Sequence, residues 1–315
     1  MSLVETYLTW LSSEKRYAAN TLKATRQDLQ LIDINTLSVA DLSQAIRHRL
    51  AQLHASGRSP ASLSRIASSW RGFFSYLVDR GAIQAHPMLG IKTPKRARHL
   101  PKALSPDQAA QLLDVPASVD LTDPKQIQCR TLSLALSELL YGGGLRVSEA
   151  LGLDISQSAF ESRFACAPCL GGWLNWPCKE ISLIGKGGKP RIVPLTRVAA
   201  ERLEEWLKIR THLLTIPDEN ALFLSAKGAR LSVRAAQRLI EALGEQSGLA
   251  RHVHPHMLRH SFASHVLQSS GDLRAVQELL GHASIASTQV YTALDFQHLS
   301  DVYDRAHPRA KKRST

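Results

Sequence analysis

The stretch His254-Pro255-His256-Met257-Leu258-Arg259-His260-Ser261-Phe262-Ala263-Ser264-His265 carries two side chains that could hold an anion. Leu258, Phe262 and Val266 recur at i, i+4 and i+8, which predicts a helix with one buried apolar stripe. His256 and Arg259 lie three apart and share the adjoining face, outside that stripe. Pro255 suits a first helical position, where a missing N–H costs nothing. An imidazole and a guanidinium fixed on one rigid helix can clamp a phosphate oxygen. Taken alone, the pair reads more simply as a solvated helix face.

Other residues of that chemistry stand on either side. Arg146 follows Gly142-Gly143-Gly144-Leu145, which reads as a helix stop and a restart. Arg146 then falls in a first helical turn, near backbone N–H groups able to bind an anion. Glu149, one turn on, could orient it, and a surface ion pair is the competing reading. Lys186 lies in Gly185-Lys186-Gly187-Gly188-Lys189-Pro190, between apolar runs at 180–184 and 191–195. That pattern predicts a β-hairpin with Lys186 at its tip. It is not a nucleotide-binding P-loop, because Gly-x-x-x-x-Gly-Lys-Ser/Thr is absent. His282 stands just past Leu279-Leu280-Gly281, at a predicted helix C-terminus that favours an imidazolium. Thr288 can cap a further helix that displays Tyr291. A capping histidine and a packed tyrosine are the ordinary explanations of those last two.

The order Arg, Lys, His-x-x-Arg, His, Tyr, in these local contexts, resembles the tyrosine recombinase (phage integrase) family. The flanks resemble its Xer branch. They include Arg16-Tyr17 with Asn20-Thr21-Leu22, and the run from Thr93-Pro94-Lys95 to Leu100-Pro101. Gly271-Asp272-Leu273-Arg274 through Gln277 to His282 agrees as well. So do Tyr291-Thr292 with Asp295 to Leu299, and Tyr303-Asp304 with His307 to Lys311. The resemblance covers nearly the whole chain.

Composition sets wider bounds. The 315 residues suffice for two domains. Hydrophobic residues make up 44% and charged residues 21%, an ordinary globular balance. Thirty-nine Lys and Arg against 27 Asp and Glu leave a formal charge of +12, which suits a polyanion such as DNA. No apolar run is long enough to span a bilayer, so no membrane association is expected. The N-terminus lacks the pattern of a signal peptide, and the four cysteines are expected as reduced thiols in the cytoplasm.

Along the chain, residues 3–89 predict a bundle of about four helices. Val4, Tyr7, Leu8 and Leu11 form one stripe, and Thr21 can cap a second helix. Trp70, Phe73 and Phe74 form an aromatic face that reads as core. Lys92, Lys95, Arg96, Arg98 and Lys102, with Pro94 and Pro101, predict a basic linker able to follow a phosphate backbone. A merely solvated linker fits equally well. Further helices are expected at 106–113, 127–140, 198–210, 232–243 and 273–280. Residues 156–179 depart from the family pattern by their length. They hold Cys166, Cys169 and Cys178 with Trp173 and Trp176. Without a visible fourth ligand, a Cys-rich surface insertion is favoured over a zinc site.

The resemblance implies a mainly α fold with a small β-sheet or hairpin. A SAM-like N-terminal core-binding bundle over 1–91 would precede a linker at 92–104. An α+β catalytic domain over 105–298 would follow, then a tail at 299–315 that docks on a neighbouring protomer. It implies Tyr291 as nucleophile, Lys186 as the acid, Arg146, Arg259 and His282 on the phosphate, and His256 as acid–base partner. Lys95, Arg96, Arg98 and Lys189 are expected DNA contacts. The expected partners are double-stranded DNA with a dif-like site, a XerD-like recombinase in a heterotetramer, and a DNA translocase at the septum. No cofactor is expected. The alternatives are a phage or integron integrase, a type IB topoisomerase, or a DNA-binding protein without catalysis.

Overall fold

Ser2 accepts the Glu5 N–H at 3.3 Å and so starts α1 (Leu3–Ser13). Next come α2 (Ala19–Leu29), α3 (Val39–Ala55) and α4 (Pro60–Asp79), the last opened by a Ser59 cap and a proline at its start. The computed structural model describes residues 2–32, 39–93, 103–115, 121–166, 170–185, 190–213, 220–250, 252–280 and 308–309. It divides into two compact units, Met1–Leu100 and Pro101–Thr315.

In the first unit the aromatic face is core, as its spacing predicts. Trp70, Phe73 and Phe74 are wholly buried, with Tyr7, Leu8 and Leu11 packed beside them. One polar pin crosses this core. Asp28 of α2 accepts from Ser69 Oγ at 2.8 Å and pairs with Arg65, and its carbonyl accepts from Trp70 Nε1 at 2.7 Å. Thr21 is not the cap of α2. Ala18 occupies that position without a side-chain bond, and the Thr21 N–H bonds the Ala18 carbonyl instead. Nor does helix continue to Leu89. At the end of α4, Ala82 N–H bonds the Leu77 carbonyl and Gly81 N–H bonds the Val78 carbonyl. That pairing closes a helix, and turns follow.

The second unit is built on one buried helix. Its elements begin with α5 (Pro106–Leu113), started by a reciprocal cap between Ser105 and Gln108, and α6 (Pro124–Gly142). Then come α7 (Val147–Leu151), β1 (Leu153–Asp154), α8 (Gln157–Cys166), β2 (Gly171–Asn175), β3 (Glu180–Ile184) and β4 (Pro190–Pro194). The rest is helical: α9 (Arg197–Thr211), α10 (Val233–Gln246), α11 (Pro255–Ser270) and α12 (Leu273–Leu280). Residues 131–142 of α6 are buried all round, because α9, α10 and α11 pack on it from different sides. The sheet runs β1-β2-β3-β4, parallel between β1 and β2 and antiparallel beyond. The expected hairpin is present as β3 and β4, with Ile181 opposite Val193 and Leu183 opposite Arg191.

The segment 156–179 is more than a surface insertion. It supplies α8 and then β2, an interior strand of the sheet, and buries Phe160 and Leu174. Two features hold it. A Cβ on Gly171 would stand 2.0 Å from the Gly152 carbonyl oxygen, so only glycine lets β2 lie this close to β1. Arg163 of α8 donates to Asp154 at 2.8 Å and to the Gly152 carbonyl at 2.6 Å. Cys178 is exposed; Cys169 and the Cys166 side chain lie outside the described residues. Among the described residues no three His, Cys, Asp or Glu are grouped to hold a metal, and no helix is long and apolar enough to cross a membrane.

Candidate active site

The helix expected from the Leu258, Phe262 and Val266 stripe is α11, and all three residues are buried. Pro255 is its first residue, and His254 Nδ1 accepts the Met257 N–H at 3.2 Å as the cap. Burial, then the neighbouring His252 and His256, lower the His254 pKa and keep the accepting nitrogen unprotonated. His256 is exposed. Arg259 is not on a solvated face. It is buried because two carbonyls reach it from outside the helix. Nη1 donates to Gly144 and Nη2 to Leu280, the latter at 2.7 Å. Burial and the nearby Arg146 lower its pKa to about 10, so it stays charged at neutral pH.

Arg146 precedes α7 as its cap residue rather than lying in its first turn. Glu149 occupies the anion position there. It accepts the Arg146 backbone N–H on Oε2 and the Arg146 guanidinium on Oε1, each at 2.8 Å. This is no surface pair, since the Glu149 side chain is 0% exposed. Arg191 of β4 approaches the same carboxylate with both arms, Nη1 to Oε1 at 3.1 Å and Nη2 to Oε2 at 2.7 Å. Arg259 Nη1 stands 3.7 Å from Oε2. Burial alone would raise the Glu149 pKa; the hydrogen bonds and charge of Arg191, then those of Arg146, outweigh it and hold the carboxylate ionised.

Three guanidiniums around one carboxylate leave a local surplus of positive charge. The Arg146 side chain keeps 35% of its surface exposed, so the surplus reaches solvent there. A phosphate oxygen meeting Arg146 would find a guanidinium already oriented by a buried acid, which needs little reorganisation. The structure thus brings Arg146 and Arg259 onto one carboxylate and sets His256 three residues from Arg259. Lys186, Lys189, His282, Tyr291, Lys95, Arg96 and Arg98 lie outside the described residues. Arg191 was not singled out by sequence. The usable signal is period two: Arg191 shares its strand face with buried Val193, while Ile192 is exposed.

The other side of α11 fastens Leu104. Ser261 Oγ accepts the Leu104 N–H at 2.8 Å, and His265 Nε2 donates to the Leu104 carbonyl at 2.9 Å. Burial lowers the His265 pKa, so the ring is neutral and its Nδ1 must accept from the Tyr141 hydroxyl, also at 2.9 Å. Near the C-terminus, Arg309 pairs with Asp114 and with the fully buried Glu138, both of its own unit. This contact within one unit is the plainer alternative to docking on a neighbour.

Two mainly helical units, the second carrying arginines fixed on a buried acid, define a protein built to hold a phosphate backbone. Residues 102–298 match the phage integrase family, and residues 4–81 match the phage integrase N-terminal SAM-like domain. The chain belongs to the phage integrase family and is a tyrosine recombinase, an enzyme that breaks and rejoins DNA. It is 45% identical over 319 residues to tyrosine recombinase XerC 1 of Ralstonia nicotianae, covering 98% of this chain and 93% of that protein. It is 42% identical to tyrosine recombinase XerC of Proteus mirabilis, covering 98% and 94%. Among solved structures, XerH site-specific recombinase bound to difH substrate, in a pre-cleavage complex, is similar. Its TM-score is 0.57 at 25% identity, covering 96% of this chain and 84% of that one.

Proposed function

We propose that this enzyme is a site-specific recombinase of the XerC kind, acting at a dif-like site to resolve chromosome dimers. The observation that carries the chemistry is the Glu149 carboxylate holding Arg146 and Arg191, with Arg259 beside it. Such a site stabilises charge on the non-bridging oxygens of a phosphodiester. Support for the XerC kind is the 42–45% identity with proteins of that name over 98% of the chain.

The Tyr291 hydroxyl gives its proton to His256, and its oxygen bonds to phosphorus. The bond from phosphorus to the 5′-oxygen breaks, and Lys186 gives that oxygen a proton. A 3′-phosphotyrosyl link and a free 5′-hydroxyl result. Arg146 and Arg259 hold the phosphoryl oxygens and His282 adds a hydrogen bond. A 5′-hydroxyl from another strand then gives its proton back to Lys186 and attacks the link, and Tyr291 leaves, regaining its proton from His256. One phosphodiester is lost and one is made, so the balance calls for no nucleotide.

In this reading residues 1–91 bind the core of the site and residues 105–298 carry the catalysis, joined by the 92–104 linker, with Lys95, Arg96, Arg98 and Lys189 on DNA. The tail at 299–315 meets the adjacent protomer. A XerD-like recombinase completes a heterotetramer in the cytoplasm, at a site served by a septal DNA translocase.

A nicked suicide substrate tests the chemistry. The wild type should become covalently linked to it, while Tyr291→Phe should bind it in a gel shift and form no adduct. An adduct with Tyr291→Phe would remove Tyr291 from the nucleophile's role.

A further inference from the structure

We infer that Arg191 is a positioning residue: it ties β4, and so one end of the β3–β4 connection that contains Lys186, to the carboxylate that orients Arg146. The inference rests on the reading of Lys186 as the acid, and it adds the means by which that acid is set against the phosphate.

Among the described residues β4 is the last strand of the sheet, and β3 is the strand that pairs with it. A strand held along one edge can shift or fray unless something else fixes it. Arg191 supplies that second support. It is the second residue of β4, opposite Leu183, and it follows Lys189 by two positions. Its side chain is 7% exposed and meets a carboxylate that is 0% exposed. Both Nη atoms are used, one on each oxygen, and this planar fork fixes direction as well as distance.

Glu149 has only two carboxylate oxygens, and Arg146 and Arg191 both donate to Oε1. Oε2 takes the Arg146 backbone N–H together with the second arm of Arg191. A slide of β4 against α7 therefore disturbs the seat of Arg146 as well as the hairpin. The consequence is geometric. Arg146 is to hold a non-bridging oxygen while Lys186 protonates the bridging one on the same phosphorus. Productive geometry of this sort tolerates only about 0.5 Å of error. The Arg191 side chain is 7% exposed and so acts through its neighbours. Its Nε is also buried with no hydrogen-bond partner among the described residues, so Glu149 does not exhaust its donors.

The test compares cleavage of ordinary DNA with cleavage of DNA carrying a 5′-bridging phosphorothiolate, whose sulfur leaves without a proton. The enzymes are the full-length wild type, Lys186→Ala, Arg191→Met, Arg191→Lys and the Lys186→Ala/Arg191→Met pair. Arg191→Met should cleave ordinary DNA about 10–100-fold more slowly, the usual cost of losing a group that orients an active residue. Most of that loss should vanish on the phosphorothiolate, as for Lys186→Ala. The double variant should be only a few-fold slower than Lys186→Ala alone, through the part of the effect that passes to Arg146, and DNA binding should be unchanged. Arg191→Lys keeps the buried charge but loses the fork. It should fold even if Arg191→Met does not, and show the same rescued defect in milder form. If Lys186→Ala is rescued and neither Arg191 variant is, or if both keep the wild-type rate, the inference is overturned. If Lys186→Ala is itself not rescued, the acid reading fails, and the inference falls with it.

Discussion

Ser261 Oγ accepts the Leu104 N–H at 2.8 Å, which fastens the segment entering the second unit to the helix that carries Arg259. Ser261 is fully buried, so no water replaces it when the hydroxyl is removed. Ser261→Ala leaves a buried N–H without its acceptor and should cost about 1–3 kcal/mol of stability. Denaturant unfolding of the full chain would measure it. A variant as stable as the wild type would mean that the Leu104 N–H finds another partner.

His265 should make stability fall in mild acid. Its folded-state pKa is lowered, by burial first. The unfolded chain therefore takes up the proton more readily than the folded one. This contribution is whole above the unfolded value, about 6.5, and is lost as pH drops through it towards the folded value. Protonation would also abolish the Nδ1 acceptor that the Tyr141 hydroxyl uses. His265→Phe should melt lower at every pH and show a flatter slope below about pH 6.5. An unchanged slope would place the acid sensitivity in other groups.

Gly144 should not tolerate a side chain. Its φ is +60°, and a Cβ there would lie 2.4 Å from the Phe262 ring. Its carbonyl is also a partner of Arg259. Gly144→Ala should cost about 1–3 kcal/mol through overpacking, with cleavage reduced further as Arg259 shifts. Adding Phe262→Leu should restore part of both, because residues in contact couple. Purely additive losses would show that backbone strain, and not the ring, sets the cost.

The sequence makes helix α11 plain because its apolar stripe needs nothing beyond i, i+4 and i+8. Arg259's burial is different. It depends on carbonyls of Gly144 and Leu280, which are far away in the chain, and no local pattern announces them. The same holds for Arg191, which reads as a polar residue in a short strand until Glu149 is found beneath it. Residues 156–179 mislead for another reason. Cysteines, prolines and tryptophans suggest an irregular surface, whereas Gly171 and the Arg163–Asp154 pair draw β2 into the sheet. The family motifs name Lys186, His282 and Tyr291 without local geometry.

Glu138 is wholly buried, and burial raises its pKa while Arg309 opposes that rise. A guanidinium and a proton are thus rival ligands for one carboxylate. When the Arg309 contact is lost, the carboxyl takes up a proton more readily, so breaking this pair is linked to proton uptake. The Arg309–Glu138 pair then weakens as pH falls. A distance of 171 positions along the chain is bridged by a contact whose strength the solvent can read.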